Sequence, residues 1–254
     1  MKTFLVCIAK NEDDYIGEWC AYHRLLGFDE IWVYQNDWRW EDAPRDEWLR
    51  LMCMDGDEMQ LPSYNEFLRE HYGTDGFAAF FDVDEYLVTP GMMDVHKWLE
   101  RFKNHRAVAV NWRLFGDSWM SGHDVGDSVL ERFTYRQSGF NEHVKTIVNL
   151  SFNSGTFNNP HFIRKAAKHD FTIHSDGKRF VRGPYCETRD SDAWLNHYYC
   201  KTWGEYQRRI PRGGADVKQR EYSRELFDRY NLNEVKDFTA RDFIRHGAGV
   251  SHVC

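Results

Sequence analysis

The first half of the chain alternates short apolar runs with segments in which apolar residues recur at helical spacing. The runs TFLVCIA (3–9), EIWVYQN (30–36) and GFAAFF (76–81) are rich in β-branched and aromatic residues, and each predicts a buried strand. From Tyr15 to Leu26 the spacing is helical, and Gly27 is a typical residue to follow the end of a helix. The predicted order therefore begins strand, helix, strand.

The same pattern continues to about residue 115. Helices are predicted over RDEWLRLM (45–52), over SYNEFLREHYG (63–73), where Ser63 and Glu66 have the spacing of a capping box, and over MDVHKWLERF (93–102). AVAVNWRLF (107–115) predicts a further strand, and helical segments are expected near 203–210 and 221–230. Alternating strands and helices predict an α/β fold, with a mainly parallel sheet flanked by helices in a single domain.

Polar residues follow three of the predicted strands at the point where each strand ends. In parallel sheets the carboxyl ends of the strands meet at one edge, which is where ligands bind. We therefore expect these side chains to share one edge of the sheet. The three groups are Lys10, Asn11 and Glu12 after the first strand, Asn36 and Asp37 after the second, and Asp82, Asp84 and Glu85 after the run GFAAFF.

The acidic segment FFDVDEYL (80–87) is the least expected of these three, because carboxylates beside buried aromatic residues need a neutralising partner. On an extended backbone Asp82 and Asp84 project to the same side. Two carboxylates in that arrangement suit Mg²⁺ or Mn²⁺, which also take phosphate oxygens from a substrate. The alternative is a surface turn whose charges face water.

Composition excludes several classes of function. The 254 residues carry a formal net charge of −7 without a long basic tract, so nucleic acid is not an expected partner. No apolar run has the length of a membrane span, and the N-terminal apolar segment is too short for a signal peptide. The six cysteines have no metal-binding spacing, and we interpret them as reduced thiols of a cytoplasmic protein.

Several sequence blocks resemble one enzyme family in the same order. They are KNEDDYIGEWCAYHRLLGFDEIWVYQND, FFDVDEYL, NWRLFG, ERF, VKTIV, NPHF and LNHYYCKTWGEYQRRIPRGGAD, and together they cover most of residues 1–216. The chain resembles GT-A glycosyltransferases of the family-2-like and family-92 type, in which FFDVDEYL would be the D-x-D element. The resemblance implies one GT-A domain over 1–254, with a nucleotide-sugar-binding half (1–115) and an acceptor half with C-terminal helices (116–254).

The resemblance also implies roles for individual residues on the donor side. The nucleotide base and ribose would lie against Lys10, Asn11, Glu12, Asn36 and Asp37, although Glu41 or Asp42 is an alternative to Asp37 because the block NDWRWED departs from the family pattern. The metal on the donor diphosphate would be held by Asp82, Asp84 and His197. The phosphates would be contacted by Lys201 and Arg212, on a segment that Gly213 and Gly214 allow to close over the donor.

Competing interpretations of these donor-side residues stay open. His197 is equally well explained as a core histidine, and Lys201 and Arg212 as parts of a solvated helix face. On the acceptor side, FGDSWMSGH has an aspartate where the family commonly has serine. A catalytic base for the acceptor hydroxyl needs a carboxylate or a histidine. The candidates are Asp117, His123, Asp124, Glu131 and Glu142, of which Asp117 directly follows a predicted strand end.

By resemblance, the reaction is inverting transfer of a hexose from a nucleotide-sugar, with UDP as the expected nucleotide, to a hydroxyl of a glycan acceptor. A lipopolysaccharide, capsular or protein glycan would suit, and a lipid-linked acceptor would require peripheral contact with a membrane. One alternative is a phosphohydrolase of the haloacid-dehalogenase type, although Tyr86 occupies the position where that class has threonine. The other is a non-catalytic module that binds a sugar or a nucleotide through its aromatic residues.

Overall fold

The structure, a computed structural model, describes residues 1–121, 128–152, 155–164, 172–188, 190–209 and 223–250. The helices in these ranges are α1 (Asp13–Leu25), α2 (Gln60–His71), α3 (Val95–Leu99), α4 (Val129–Arg132), α5 (Trp203–Arg208), α6 (Arg224–Tyr230) and α7 (Thr239–Val250). The longer strands are β1 (Lys2–Ala9), β2 (Glu30–Gln35), β3 (Leu49–Cys53), β4 (Gly76–Phe80), β5 (Glu85–Val88), β6 (Ala107–Leu114) and β8 (Asn141–Asn149). The shorter strands are β7 (Tyr135–Arg136), β9 (Thr156–Phe157), β10 (Ile163–Arg164), β11 (Thr172–His174), β12 (Phe180–Val181), β13 (Trp194–His197) and β14 (Val235–Lys236).

One large mixed sheet organises the molecule, in the order β12-β11-β6-β8-β4-β1-β2-β3. Strands β4, β1, β2 and β3 are mutually parallel, and β8 runs antiparallel between β4 and β6. Strand β13 continues the edge of β6 beyond β11, and β5 pairs with β13. Because β4 and β6 are both antiparallel to β8, they point the same way. The predicted single-domain α/β fold with a mainly parallel sheet is confirmed, whereas its division into donor and acceptor halves stays a prediction.

The apolar core lies on both faces of this sheet, and alternate residues of β1 contribute to each face. Leu5 and Cys7 pack in the cluster that contains Trp19 of α1, whereas Phe4 and Val6 pack in the cluster that contains Phe67 of α2. Side chains two residues apart on a strand share a face, which explains this division. An apolar run without alternation, such as TFLVCIA, is therefore what a strand covered by helices on both sides requires.

Two sequence predictions about secondary structure are wrong. Residues 45–52 do not form a helix, because Leu49–Cys53 is strand β3, which pairs in parallel with β2 and satisfies the backbone groups of that neighbour. The helix predicted from Ser63 begins three residues earlier, at Gln60. Ser63 is therefore no N-cap, and its hydroxyl instead donates a hydrogen bond of 2.9 Å to the Gln60 carbonyl. In the described residues, no helix combines the length and hydropathy that crossing a bilayer requires.

Candidate functional site

The first two groups of polar residues meet at one edge of the sheet, as predicted, because β1 and β2 are parallel neighbours. The Lys10 ammonium lies 3.1 Å from a carboxylate oxygen of Asp37. Asn11 and Asp37 both have left-handed backbones, with φ of 53° and 47°. Asn and Asp tolerate this conformation better than most residues. The chain therefore turns sharply after each strand and keeps a polar side chain at the turn.

At the same edge, the Asn36 side chain stabilises a neighbouring loop. It is buried, and its amide donates hydrogen bonds of 2.9 and 2.7 Å to the carbonyls of Met54 and Gly56. Asp37 accepts a further bond of 3.0 Å from the Gly56 amide. The Asn36 side chain thus fixes the loop after β3, and of the two residues Asp37 is the more exposed.

The third group, at the end of β4, forms a tight turn rather than an extended segment. The Glu85 amide donates a hydrogen bond of 2.9 Å to the Asp82 carbonyl, which closes the turn over Asp82–Glu85. The expectation that Asp82 and Asp84 share one side of an extended backbone is therefore wrong. Each carboxylate has its own set of partners. We call the set around Asp82 the Lys145 cluster and the set around Asp84 the Arg209 cluster.

The Lys145 cluster comprises Asp82, Glu85, Gln60 and Lys145. The Lys145 ammonium, which is fully buried on β8, lies 2.8 Å from Asp82 and 3.4 Å from Glu85. Gln60 donates to the other Asp82 oxygen at 2.8 Å, and Glu85 accepts from the Asp82 amide at 2.8 Å.

Charge is divided unequally between the two carboxyls of this cluster. Burial opposes ionisation of Asp82, but Lys145 brings the pKa of its carboxyl below the ordinary value. Burial raises the pKa of Glu85 well above its ordinary value, against the pull of Lys145. The pKa of Lys145 itself is raised, because Asp82 and Glu85 outweigh the effect of its burial. The surroundings therefore favour ionisation at Asp82 and oppose it at Glu85.

The Arg209 cluster comprises Asp84, His197, Lys201 and Arg209. One Asp84 oxygen lies 3.4 Å from His197 Nε2, and the other accepts a hydrogen bond of 2.9 Å from Arg209 Nη2. Burial opposes ionisation of Asp84, but His197 and Arg209 hold the pKa of this carboxyl well below its ordinary value. Three cationic or protonatable side chains therefore surround one anionic residue, which leaves the cluster suited to accept further negative charge.

Lys201 joins this cluster to helix α1, which follows β1 in the chain. Its ammonium lies 4.3 Å from the centre of the Tyr15 ring, and Tyr15 donates a hydrogen bond of 2.8 Å to Glu205. Burial and the neighbouring Arg209 lower the pKa of Lys201 to about 8, although Asp84, Glu12 and Glu205 act in the opposite direction. A cavity of about 190 Å³ lies here, and its lining contains both acidic and basic side chains: Glu12, Asp14, Glu205, Lys201, Arg208 and Arg209, together with Asn11 and Tyr15.

Without a substrate, the side chains of this site supply only some of the ligands that a divalent cation needs. Asp84 Oδ1 and His197 Nε2 are 3.4 Å apart, so both can lie about 2.1 Å from one ion. Asp82 directs its two oxygens at Lys145 and Gln60 instead. Within the described ranges, no three His, Cys, Asp or Glu residues are arranged as a metal site. A cation at Asp84 and His197 would therefore need oxygen ligands from a substrate, as Mg²⁺ commonly does.

Three histidines surround Trp112 beside the acidic turn. The Trp112 ring lies 4.8 Å from that of His143, 5.1 Å from that of His161 and 4.2 Å from that of His197. Burial and the Lys145 charge lower the pKa of His161 to about 3, so this imidazole is neutral at ordinary pH. His161 Nδ1 is buried without a hydrogen-bond partner, a rare state for a polar atom in a folded protein.

The candidate bases are dispersed. Asp117 follows β6 and accepts hydrogen bonds from the Trp119 amide at 2.9 Å and from Asn233 at 3.0 Å. Glu131 pairs with Arg245 of α7, and Glu142 is exposed at the start of β8. His123, Asp124, Arg212, Gly213 and Gly214 lie outside the described residues. No contact brings Glu131 or Glu142 to the acidic turn among the described residues.

Sequence reasoning missed Lys145, His161 and the contact between Arg209 and Asp84. A signal for Lys145 exists in VKTIV, because a lysine within an apolar strand requires a buried carboxylate partner. His161 lies in the block NPHF, which carries no spacing that marks a site. Arg209 reaches Asp84 across 125 residues of sequence, and no local pattern reports such a contact.

No protein-family model matches the chain, and no curated protein matches it either. Among solved structures, it is similar to S. aureus TarS 1–349 in complex with UDP, at 13% identity and a TM-score of 0.36, over 59% of this chain and 47% of that one. This chain thus spans about half the length of that TarS structure.

Two other solved structures show similarity of the same order. The galactosyltransferase LgtC in complex with donor and acceptor sugar analogs has 12% identity and a TM-score of 0.29, over 58% of each chain. HddC from Yersinia pseudotuberculosis has 11% identity and a TM-score of 0.36, over 68% of this chain and 88% of that one. Identities and TM-scores at this level leave the function to be argued from the site.

Proposed function

We propose that the chain is a metal-dependent glycosyltransferase that moves a hexose from a UDP-sugar to a hydroxyl of a glycan acceptor, with inversion at the anomeric carbon. The observation that carries this proposal is the Arg209 cluster. It collects Arg209, Lys201 and His197 around Asp84 at the carboxyl edge of a mainly parallel sheet, where ligands of such sheets bind. A diphosphate is the substrate group whose charge this arrangement suits best.

The donor would lie across the ends of β1, β2 and β4. Asn11 and Asp37 would contact the nucleoside from their left-handed turns. The cavity between Glu12 and Lys201 is smaller than a typical ligand pocket, so it suits a part of the donor such as its phosphates. Lys201 and Arg209 would then contact the phosphate oxygens, and Arg209 would divide its donors between them and Asp84.

In the reaction, an oxygen of the acceptor hydroxyl forms a bond with the anomeric carbon. The bond from that carbon to the diphosphate oxygen breaks, and UDP leaves with the electron pair. The hydroxyl proton passes to a base of the chain, for which Asp117 stays our candidate. Asp84 and His197 would hold Mn²⁺ or Mg²⁺ together with oxygen ligands from the substrate, and the cation would supply positive charge that offsets the charge on the leaving group. Lys201 and Arg209 supply charge of the same sign from the protein.

Two features argue against the phosphohydrolase alternative. Its nucleophile would be Asp82, whose two oxygens are occupied by Lys145 and Gln60. The strand before Asp82 is also the fourth in the chain rather than the first. A non-catalytic binding module is distinguished by experiment, because it would bind a nucleotide-sugar without turning it over.

The test is a screen of nucleotide-sugars for hydrolysis and transfer in the presence of Mn²⁺, combined with thermal unfolding. We expect a UDP-hexose and Mn²⁺ together to raise the melting temperature more than the sum of their separate effects, because each completes the site of the other. Release of UDP from one donor, and faster release with an acceptor glycan, would follow. Cooperative stabilisation without turnover of any donor would favour the binding module, and no stabilisation would contradict both.

A further inference from the structure

The turn after β6 has an unusual backbone. The Met120 amide donates a hydrogen bond of 2.9 Å to the Asp117 carbonyl, which closes a four-residue turn. Its two central residues, Ser118 and Trp119, have φ of 51° and 56°. Positive φ at both central positions is the signature of a type I′ turn, which normally contains Asn-Gly or another glycine pair. A serine and a tryptophan at these positions strain the backbone.

The surrounding chain holds this strained turn in place. The Asp117 and Ser118 amides donate to the side-chain oxygens of Asn231 and Asn233, at 2.7 and 2.8 Å. The Ser118 hydroxyl oxygen accepts from the Thr134 amide at 2.8 Å. Strained backbone persists only where its surroundings fix it from several sides, and such positions are common at functional sites.

This turn holds the Trp119 ring exposed to solvent. Trp119 is 66% exposed, the highest fraction among the large exposed hydrophobic residues of the described chain. Its ring stands edge-on to that of Tyr135, with 4.6 Å between ring centres. The two rings form an apolar corner, and the Lys236 ammonium lies 5.6 Å from the centre of the Tyr135 ring. A flat apolar surface with polar groups at its margin matches a pyranose, which has one face of C–H groups and a rim of hydroxyls.

The turn also lies beside the proposed site of transfer. Leu114 pairs with His197 in the sheet, and the Phe115 amide donates a hydrogen bond of 3.0 Å to the His197 carbonyl. Trp119 is four residues beyond Phe115, so it lies within about 14 Å of that contact. Strand β6 runs parallel to β4, so both end at the same edge of the sheet. A short oligosaccharide that begins at the Arg209 cluster is therefore long enough to reach Trp119.

We infer that Trp119 is a stacking surface for a pyranose ring, with Tyr135 as its side wall. That this pyranose belongs to the acceptor rests on the proposed function, whereas the binding of a pyranose at Trp119 does not. Tryptophan supplies a large rigid contact area at low cost in conformational entropy. This explains why a residue so poorly suited to the backbone occupies the turn.

The experiment measures binding of methyl β-D-galactopyranoside, methyl β-D-glucopyranoside and lactose by saturation-transfer NMR, without a donor. The test variant is Trp119→Gly, because glycine relieves the positive φ and removes only the ring. The matched control is Phe180→Ala, which removes an aromatic ring that is 56% exposed on β12. We expect Trp119→Gly to bind the preferred glycoside about tenfold more weakly, with an unchanged or higher melting temperature, and Phe180→Ala to bind as the wild type does.

Two further measurements separate the alternatives. Calorimetry should give the same UDP affinity for the wild type and both variants. If the wild type does not bind UDP, the proposed function is refuted, but the glycoside result is unaffected. Sedimentation with vesicles of phosphatidylethanolamine and phosphatidylglycerol in equal parts tests whether Trp119 instead enters a lipid surface. The inference is overturned if Trp119→Gly binds glycosides as the wild type does, if the wild type binds none of them, or if only vesicle binding is lost.

Discussion

The Lys145 cluster and the Arg209 cluster lie on the two sides of one acidic turn, yet they are built differently. Lys145 is fully buried on a central strand, and its ion pair with Asp82 is fixed by the sheet. Arg209 directly follows the short helix α5, and Asp84 shares it with His197. The first cluster compensates a charge that the fold has buried. The second holds several positive groups around one carboxylate and is suited to receive a ligand.

The largest expected effect concerns the second cluster. Asp84→Asn preserves size and hydrogen-bonding capacity but removes the charge that His197 and Arg209 surround. Turnover should fall about 10³-fold, since a charged metal ligand contributes several kcal/mol to transition-state stabilisation. The protein should remain folded by circular dichroism. Wild-type turnover of this variant in buffer containing a chelator would refute metal dependence at Asp84.

The next effect tests whether the first cluster is structural. Lys145→Met leaves Asp82, whose side chain is 36% exposed, without its cation and should lower the free energy of unfolding by about 1–2 kcal/mol in urea titration. Adding Asp82→Asn removes the uncompensated charge and should recover part of the loss. If the double variant is no more stable than Lys145→Met alone, Lys145 contributes through packing and not through its charge.

A third prediction uses the lowered pKa of Lys201, which is about 8. Below this pH the side chain is charged and can contact a diphosphate, so the affinity for UDP should be constant there and fall as the pH rises above 8. Stability should change in the opposite sense. The unfolded chain keeps the proton up to about 10.5, so the free energy of unfolding rises between pH 8 and that value.

Calorimetry of UDP binding from pH 6.5 to 9.5 and urea titration over the same range check both trends. Lys201→Arg is the matched control, because arginine stays charged throughout and should flatten the affinity profile. A wild-type profile as flat as that of Lys201→Arg would remove Lys201 from the donor site.

The smallest effect concerns the end of β1. Asn11→Gly keeps the left-handed backbone and removes the side-chain amide. UDP affinity should fall about fivefold, the loss of one hydrogen bond. Asn11→Ala provides the comparison, because alanine at positive φ should cost about 1 kcal/mol of stability as well. An unchanged UDP affinity in both variants would place the nucleoside elsewhere.

The sequence predicted the sheet and the meeting of the strand ends because both follow from local patterns. Buried strands are apolar throughout, and the ends of parallel strands share an edge wherever the strands lie in the sheet. Asn11, Asp37 and Asp82 could be located on this basis.

What the sequence could not predict depends on pairing between distant strands. Lys145 faces Asp82 only because β8 inserts antiparallel between β4 and β6, an arrangement that no local pattern encodes. Apolar residues in 45–52 recur at helical spacing, yet Leu49–Cys53 forms a strand because it pairs with β2. The turn after β4 differs from the sequence prediction for a local reason: the Glu85 amide bonds back to the Asp82 carbonyl, where the pattern predicts an extended chain.

The left-handed residues of the molecule have a consequence for its evolution. The described chain contains seven non-glycine residues with positive φ, and five of them, Asn11, Asp37, Ser118, Trp119 and Lys201, come shortly after strands β1, β2, β6 and β13. At the three that are neither Asn nor Asp, this conformation costs roughly 1 kcal/mol each, which is a sizeable part of the net stability of an ordinary domain. Selection for heat resistance alone would replace them with glycine. A descendant under that pressure would keep the sheet, melt at a higher temperature and lose the side chains that line its reactive edge.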